Sequence, residues 1–285
     1  MLKRNFRALS GVAFLVLATS AFAGDCGGVD GSCSVADHVA DEPVTRGELD
    51  KAVLAIIAAH PDVVIDALKS YQRQQAENHA AQIKKNIAEA QDQLLSDPLD
   101  LVIGNPKGDV TLVEFFDNQC PACKGTESEI EAVIKADPNV RIVLKEFVLH
   151  PTRPGADGQL DRSAWLGPGS LVAAKLALAS KRQGDALYAA FHHELMLDPT
   201  PEHHLEMGHI MELAAKVGLD TSRLALDMAA PEIVGHIKAT QDLADKIGVN
   251  STPGIVVSGE VLRSHDHMAM LAAIKAARSQ ITASR

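Results

Sequence analysis

The sequence predicts an α/β fold in which a helical block interrupts one sheet-containing domain and a helical arm precedes it. Three observations predict this. A strand, a helix and a second strand follow one another between Val110 and Leu149, the order of a parallel βαβ unit. Helical periodicity then holds from about Ser163 to Ile247. After it the chain returns to short β-rich segments, Ile255 to Val257 and Val261 to Leu262, around the turn Ser258-Gly259.

The 285 residues suffice for one to two domains with a substantial core. Residues 1–23 read as a secretory signal: Lys3, Arg4 and Arg7 begin it, an apolar run from Ala8 to Leu17 follows, and Ala21-Phe22-Ala23 fits the small-residue cleavage rule. No other stretch approaches the roughly 18 apolar residues of a membrane span. The expectation is an exported protein, in the periplasm of a Gram-negative host. The net charge is −10, and the basic start removed with the signal leaves the remainder more acidic still. That argues against nucleic acid or anionic membrane as a partner. Residues 24–44, rich in Gly, Asp and Ser, read as a flexible leader.

Thr45-Arg46-Gly47-Glu48 has capping-box spacing, so a helix is expected from there to about His60, before Pro61. A long helix is expected from about Asp62 to Leu95. Ala76, Ala80, Ile83, Ile87, Ala90 and Leu94 recur on it at alternating spacings of four and three, a thin seam of coiled-coil type. A lone polar helix gains little by folding back on its own domain, so 45–97 is expected to be an oligomerisation region; the alternative is an exposed spacer. Gly104-Asn105-Pro106-Lys107-Gly108 reads as a turn.

The strand from Val110 to Phe116 leads into Cys120-Pro121-Ala122-Cys123, and a helix follows to about Lys135. A CxxC pair at a strand-to-helix junction has a mechanism. Pro121 fits the first helical turn, where its missing N–H costs nothing. The free backbone N–H groups and the helix dipole face the Cys120 sulfur and favour thiolate over thiol. Cys120 is then the attacking or leaving sulfur of an exchange reaction, and Cys123, about one turn deeper, resolves the mixed disulfide. A zinc site lacks a second CxxC or Cys/His pair at ligand spacing. An inert disulfide would not need this junction. Cys26 and Cys33 are expected to form a small local disulfide, with an intermolecular bridge or a metal clip as alternatives.

The segment Phe115-Phe116-Asp117-Asn118-Gln119 with its CPAC motif resembles the active-site segment of the DsbA-like branch of the thioredoxin superfamily. Leu166-Gly167-Pro168-Gly169-Ser170, Phe191-His192, Gly218-Leu219-Asp220 and Gly248-Val249-Asn250-Ser251-Thr252-Pro253 strengthen the resemblance, which covers roughly residues 100–280. The N-terminal helical region followed by Ile103 to Asp109 is similar to the suppressor-of-copper-sensitivity ScsC proteins and related oligomeric DsbA-like proteins. The resemblance implies a thioredoxin-like domain in two parts, 98–150 and 248–285, around a helical insertion, 151–247. It implies that Pro253 is cis opposite the CxxC, with Thr252 presenting backbone groups to an extended substrate. It also implies that Glu114 lies beneath the active site, where a buried carboxylate can relay a proton or oppose the thiolate.

Three departures stand out. Ala122 occupies a position where strongly oxidising DsbA carries histidine, which predicts a milder oxidant. Ser251 replaces a glycine often found before Thr-Pro. Pro151 to Arg162 reads as an insertion that lines the substrate groove. His192-His193 and His203-His204 suggest copper, but adjacent helical histidines point to different faces and no Cys or Met completes a soft site, so surface or capping roles are expected and no metal is assigned. No diffusible cofactor is implied. The functional expectation is disulfide exchange in exported proteins, as an isomerase that forms homo-oligomers and is served by a membrane redox partner. Its alternatives are a DsbA-type oxidase and a copper-binding module that uses the CxxC thiols.

Overall fold

A computed structural model describes residues 44–148, 167–201 and 203–283. The signal-like start, the leader with Cys26 and Cys33, Pro151 to Arg162 and Leu166 lie outside them. The chain divides into two units, Met1–Pro61 and Asp62–Arg285.

In the first unit, α1 spans Arg46–Ala59. Its capping box is formed: Glu48 N donates to Thr45 Oγ1 at 3.3 Å, and Thr45 N donates to Glu48 Oε2 at 2.9 Å. His60 closes the helix because the proline ring at 61 disfavours the α conformation before it. No residue of α1 is buried, and Leu49, Val53, Leu54, Ile56 and Ile57 are exposed.

In the second unit, α2 (Pro61–Glu89) and α3 (Gln91–Leu95) replace the single long helix expected. The break is a turn at Ala90, whose φ of −100° and ψ of 14° leave the helical region. The first half of α2 is exposed, including Val63, Val64, Ile65, Leu68 and Tyr71. The second half corrects the reading of the seam. Ile87, Ala90 and Leu94 are buried, Ile83 packs beside them, and all four join Val113, Phe115 and Val143 of the chain's own sheet and Phe147 just beyond β3. The seam is thin because it faces flat sheet rather than a partner helix, and burying Ile87 and Leu94 contributes about 1.5–3 kcal/mol each. Asn86 Nδ2 donates to Lys246 O at 2.5 Å and fixes the helix further.

The sheet has the order β1-β3-β2-β4-β5, where β1 is Leu101–Gly104, β2 Val110–Phe116, β3 Val140–Glu146, β4 Gly254–Val257 and β5 Glu260–Val261. Only β2 and β3 pair in parallel. The edge strand β1 occupies residues partly read as a turn; four residues are too few to carry a period-2 signal. The last expected β residues beyond Glu146 fall outside β3, which ends there. Side-chain alternation divides the core. Leu112 and Phe116 face one layer, and Val113 and Phe115 face the other, against α2 and α3.

The first layer holds α4 (Pro121–Ala136), the helical block and α10 (His267–Ala283). The block comprises α5 (Pro168–Ser180), α6 (Asp185–Leu197), α7 (Met207–Lys216), α8 (Thr221–Asp227) and α9 (Pro231–Lys246). Asp220 caps α8 as expected, accepting from Arg223 N at 3.0 Å. Gly248, at φ +76°, follows α9, and a Cβ there would stand 2.6 Å from Ile83 Cδ1. Lys145 and Asp100 form a fully buried ion pair at 2.5 Å, which ties β3 to the segment before β1. Removing either partner would strand a buried charge.

Candidate redox site at the start of α4

Cys120 is the N-cap of α4, with φ −69° and ψ 117°. Its Sγ accepts from Cys123 N at 3.3 Å, so sulfur takes the place usually filled by a capping oxygen. Pro121 occupies the first turn. Both cysteines are free thiols. Cys123 is fully covered and Cys120 is 6% exposed, less open than an attacking thiol was expected to be; Pro121 and Ala122 are the exposed members of the motif.

The loop before Cys120 is held from several sides. Gln119 N donates to Asp117 Oδ1 at 2.9 Å and Cys120 N to Asp117 O at 3.0 Å. Ser170 Oγ, at the start of α5, donates to Asp117 Oδ1 at 2.7 Å and accepts from Gln119 Nε2 at 3.1 Å. Leu205 N donates to Gln119 Oε1 at 3.1 Å. Gly169 is required here because a Cβ would collide with the Leu205 carbonyl. Asn118 Nδ2 reaches Glu146 Oε2 at 2.7 Å, below which Tyr188 is buried. Burial pushes the Glu146 carboxyl up to about 8, with Asn118 working against the shift.

From the other side comes the Thr252–Pro253 peptide, which is cis. Cys120 Sγ donates to Thr252 O at 3.6 Å. Thr252 Oγ1 is buried, accepts and donates no hydrogen bond in this dithiol form, and supports the anion once the sulfur ionises. Cys120 is therefore lowered from 9.0 to about 6: the Cys123 thiol donating to it is the main cause, burial opposes, and Thr252 and the N–H groups of Cys123 and Ala122 assist. Cys123 is raised, first by burial and then by the Cys120 and Glu114 charges. One sulfur is poised as thiolate and its neighbour is kept as thiol.

Glu114 lies on β2, paired with Leu144 and Ile255 in the sheet interior, and faces α4 with Leu112 and Phe116. It is buried and its Oε1 has no hydrogen-bond partner. Burial, and then the charges of Glu127 and Cys120, push its carboxyl up to about 8. Glu127 escaped the sequence reading, although it falls four residues after Cys123 and thus one turn below it on the same helical face. Burial alone would raise Glu127, but His192 and His193 together hold it below the usual range.

The histidine pairs divide. His192 is buried edge-on against Phe116, with ring centroids 4.8 Å apart, so it has no surface role. His193 is half-exposed and faces Glu127 and Glu131, while His203 and His204 are exposed, His203 at φ +68°. Among the described residues two groups have donor atoms close enough for a cation, Glu127 with Glu131 and His193, and Asp97 with Asp100 and His236. In the second, Lys145 already supplies a positive charge.

Comparison with known proteins agrees with this geometry. The family model described as a DSBA-like thioredoxin domain matches residues 111–274. Among curated relatives, the Herminiimonas arsenicoxydans Na(+)/H(+) antiporter NhaA is 29% identical over 186 residues, 63% of this chain and 26% of the relative. The chain thus spans about a quarter of that protein's length. Disulfide bond formation protein D of Bacillus subtilis is 24% identical, over 57% of this chain and 69% of its own. Among solved structures, a thioredoxin-like oxidoreductase from Silicibacter pomeroyi is 37% identical, with a TM-score of 0.56, covering 66% of this chain and 97% of its own. A linker-deletion mutant of Proteus mirabilis ScsC shares the fold at 21% identity and a TM-score of 0.62, covering 84% and 99%. No helix among the described residues is long and apolar enough to cross a membrane.

Proposed function

Because this chain belongs to the DSBA-like thioredoxin domain family, we propose that it is a thiol:disulfide oxidoreductase acting on the cysteines of exported proteins in the periplasm. Cys120 is the sulfur that attacks or is attacked, and Cys123 is the one that resolves. The observation that carries this reading is the placement of Cys120 Sγ between two kinds of partner, the Cys123 N–H at 3.3 Å and the Thr252 carbonyl at 3.6 Å. The first favours the anion. The second marks where an extended substrate would run, with Thr252 offering backbone hydrogen bonds beside the mixed disulfide. Pro253 has no N–H to compete for the sulfur. Cys123→Ala should accumulate mixed disulfides with exported proteins on non-reducing gels, and Cys120→Ala should not. Equal trapping by both variants would remove the assignment.

Between isomerase and oxidase, the exposed apolar residues favour isomerase. Leu54 and Ile57 of α1, and Val64 and Leu68 of α2, are open side chains on long helices. Contact with further copies would cover them and cluster several redox sites around one misfolded substrate. Such an enzyme needs a membrane partner that keeps Cys120 and Cys123 reduced. Domain bounds at 45–97, 98–150, 151–247 and 248–285 follow this division of labour, with the oligomer contact confined to the part of the arm before residue 72. Thiol trapping in cells tests the choice: a reduced pair supports the isomerase, and an oxidised pair replaces it with an oxidase.

A further inference from the structure

We propose that Glu127, gripped between His192 and His193, relays protons from solvent to the buried Glu114 and Cys123 during disulfide exchange. This rests on the roles given above to Cys120 and Cys123.

The chemistry creates the need. When the disulfide form oxidises a dithiol, a substrate thiolate attacks Cys120 Sγ. A bond forms between these sulfurs, the Cys120–Cys123 bond breaks, and the electron pair leaves on Cys123 Sγ. That sulfur takes a proton from Glu114. A second substrate thiolate then attacks the first substrate sulfur and expels Cys120 as thiolate, so the substrate leaves oxidised and the protein reduced. Glu114 is left as a buried carboxylate, and one proton must reach it from outside.

Cys123, Glu114 and their surroundings offer few routes. Cys123 is fully covered and Glu114 is buried with an unpartnered Oε1. Glu127 lies one helical turn from Cys123 on the buried side of α4, and its charge helps to raise Glu114. Its Oε1 meets His193 Nδ1 at 3.2 Å, and its Oε2 stands 3.5 Å from His192 Nε2. His193 is 45% exposed at its side chain, so this contact connects the interior to water. His192 makes no hydrogen bond at either ring nitrogen, and its ring is fixed by Phe116. It is a buried group whose Nε2 faces Glu127. The direction of transfer is also set. Glu114 holds a proton more tightly than Glu127 does, so a proton delivered to Glu127 runs inward.

Charged groups from three elements face this cluster among the described residues. From α4 come Cys120, Cys123, Lys124 and Glu131; from β2, Glu114; from α6, the two histidines. Lys124 is turned away to the Asp198 carbonyl, and Asp198 is paired with His209. Glu131 adds a second acidic contact to His193 at 3.9 Å.

The test uses the full chain in its disulfide form, mixed rapidly with dithiothreitol across a range of pH and buffer concentration. Glu127→Gln and His193→Gln should each slow oxidation by roughly a hundredfold, at the low end of what a positioned proton donor contributes. Added imidazole or formate should restore the rate, and the solvent deuterium isotope effect should grow. An ion pair that merely pins α6 to α4 predicts none of the rescue. Unchanged rates, or slowing without rescue, overturn the proposal. If Glu127→Gln does not fold, the surface variant His193→Gln decides alone. A parent protein that fails to oxidise dithiothreitol would defeat the underlying exchange reading instead.

Discussion

Cys123 N–H points at Cys120 Sγ across 3.3 Å, so α4 is capped by the sulfur that the Cys123 thiol is proposed to attack when it expels a bound substrate. The same residue donates from its thiol to that sulfur, and this is the main reason the Cys120 thiolate forms so readily. Charge and reactivity of the pair are thus set by one turn of backbone.

The first consequence is a pH signature. Cys120 has a folded value near 6 against 9.0 for an ordinary thiol, so it is a depressed acid. Its contribution to the stability of the dithiol form is complete above about 9 and is lost as pH falls through about 6. The thiolate ultraviolet band should titrate with a midpoint near 6, and the dithiol should gain on the disulfide between those limits. Titration at the ordinary thiol value would contradict the geometry.

Glu114 behaves in the opposite sense. Its carboxyl is raised from 4.5 to about 8, so its contribution is intact below 4.5 and is lost as pH rises through about 8. Glu114→Gln keeps the shape without the charge. Its melting temperature should match the parent in acid and exceed it in alkali, with slower resolution by Cys123. Parallel melting curves at all pH values would exclude a titrating carboxyl here.

Pro253→Thr should cause covalent complexes to persist in cells. The substitution adds an N–H and a hydroxyl beside the residue whose carbonyl is 3.6 Å from Cys120 Sγ, giving the bound state new donors. Non-reducing gels of whole-cell extracts read the outcome, and complexes no more abundant than in the parent would count against a substrate role for residues 252 and 253.

The two ends of the arm should respond differently. Leu94→Ala removes a buried side chain from the sheet layer and should cost about 2–5 kcal/mol in denaturant unfolding. Leu54→Asp alters an exposed position and should leave unfolding within about 0.5 kcal/mol while abolishing self-association in light scattering. A mature protein that is monomeric at micromolar concentration would undo the multivalent part of the proposal.

Ser170→Ala should loosen the redox loop. The hydroxyl serves both Asp117 and Gln119, so its loss removes one buried hydrogen bond from each, at about 1–3 kcal/mol together. Exchange should slow with little change in the Cys120 midpoint, since Ser170 does not touch the sulfur. A clear shift of the midpoint would place Ser170 closer to the chemistry than the structure does.

Much of this architecture was legible because local patterns and tertiary demands coincide. Val110 to Phe116 is a strand by composition and the sheet's interior by position. Thr45 and Asp220 cap helices because their side chains satisfy backbone groups within three residues. The CxxC was readable for the same local reason. Contacts made across long separations were not. Nothing near Ile87 announces that Val113 and Phe115 lie opposite, so a seam facing a sheet looked like a seam facing a second helix. Glu127 could have been found by stepping one turn down from Cys123, but its histidine partners, 65 and 66 residues on, are joined to it only by the fold. Ser170 could not be connected to Asp117 without knowing how the inserted helices return.

Gly248 carries a constraint on evolution and engineering alike. It opens the Val249 to Thr252 link that ends beside Cys120, and Ile83 of α2 fills the space where a side chain would stand. The start of the active-site loop and the root of the arm thus meet at one tightly packed contact. Enlarging residue 248 displaces Ile83, and enlarging residue 83 presses on the loop. Variation at either site is therefore coupled, and chimeras that exchange arms between related proteins should be spliced upstream of Ile83 to leave this joint intact.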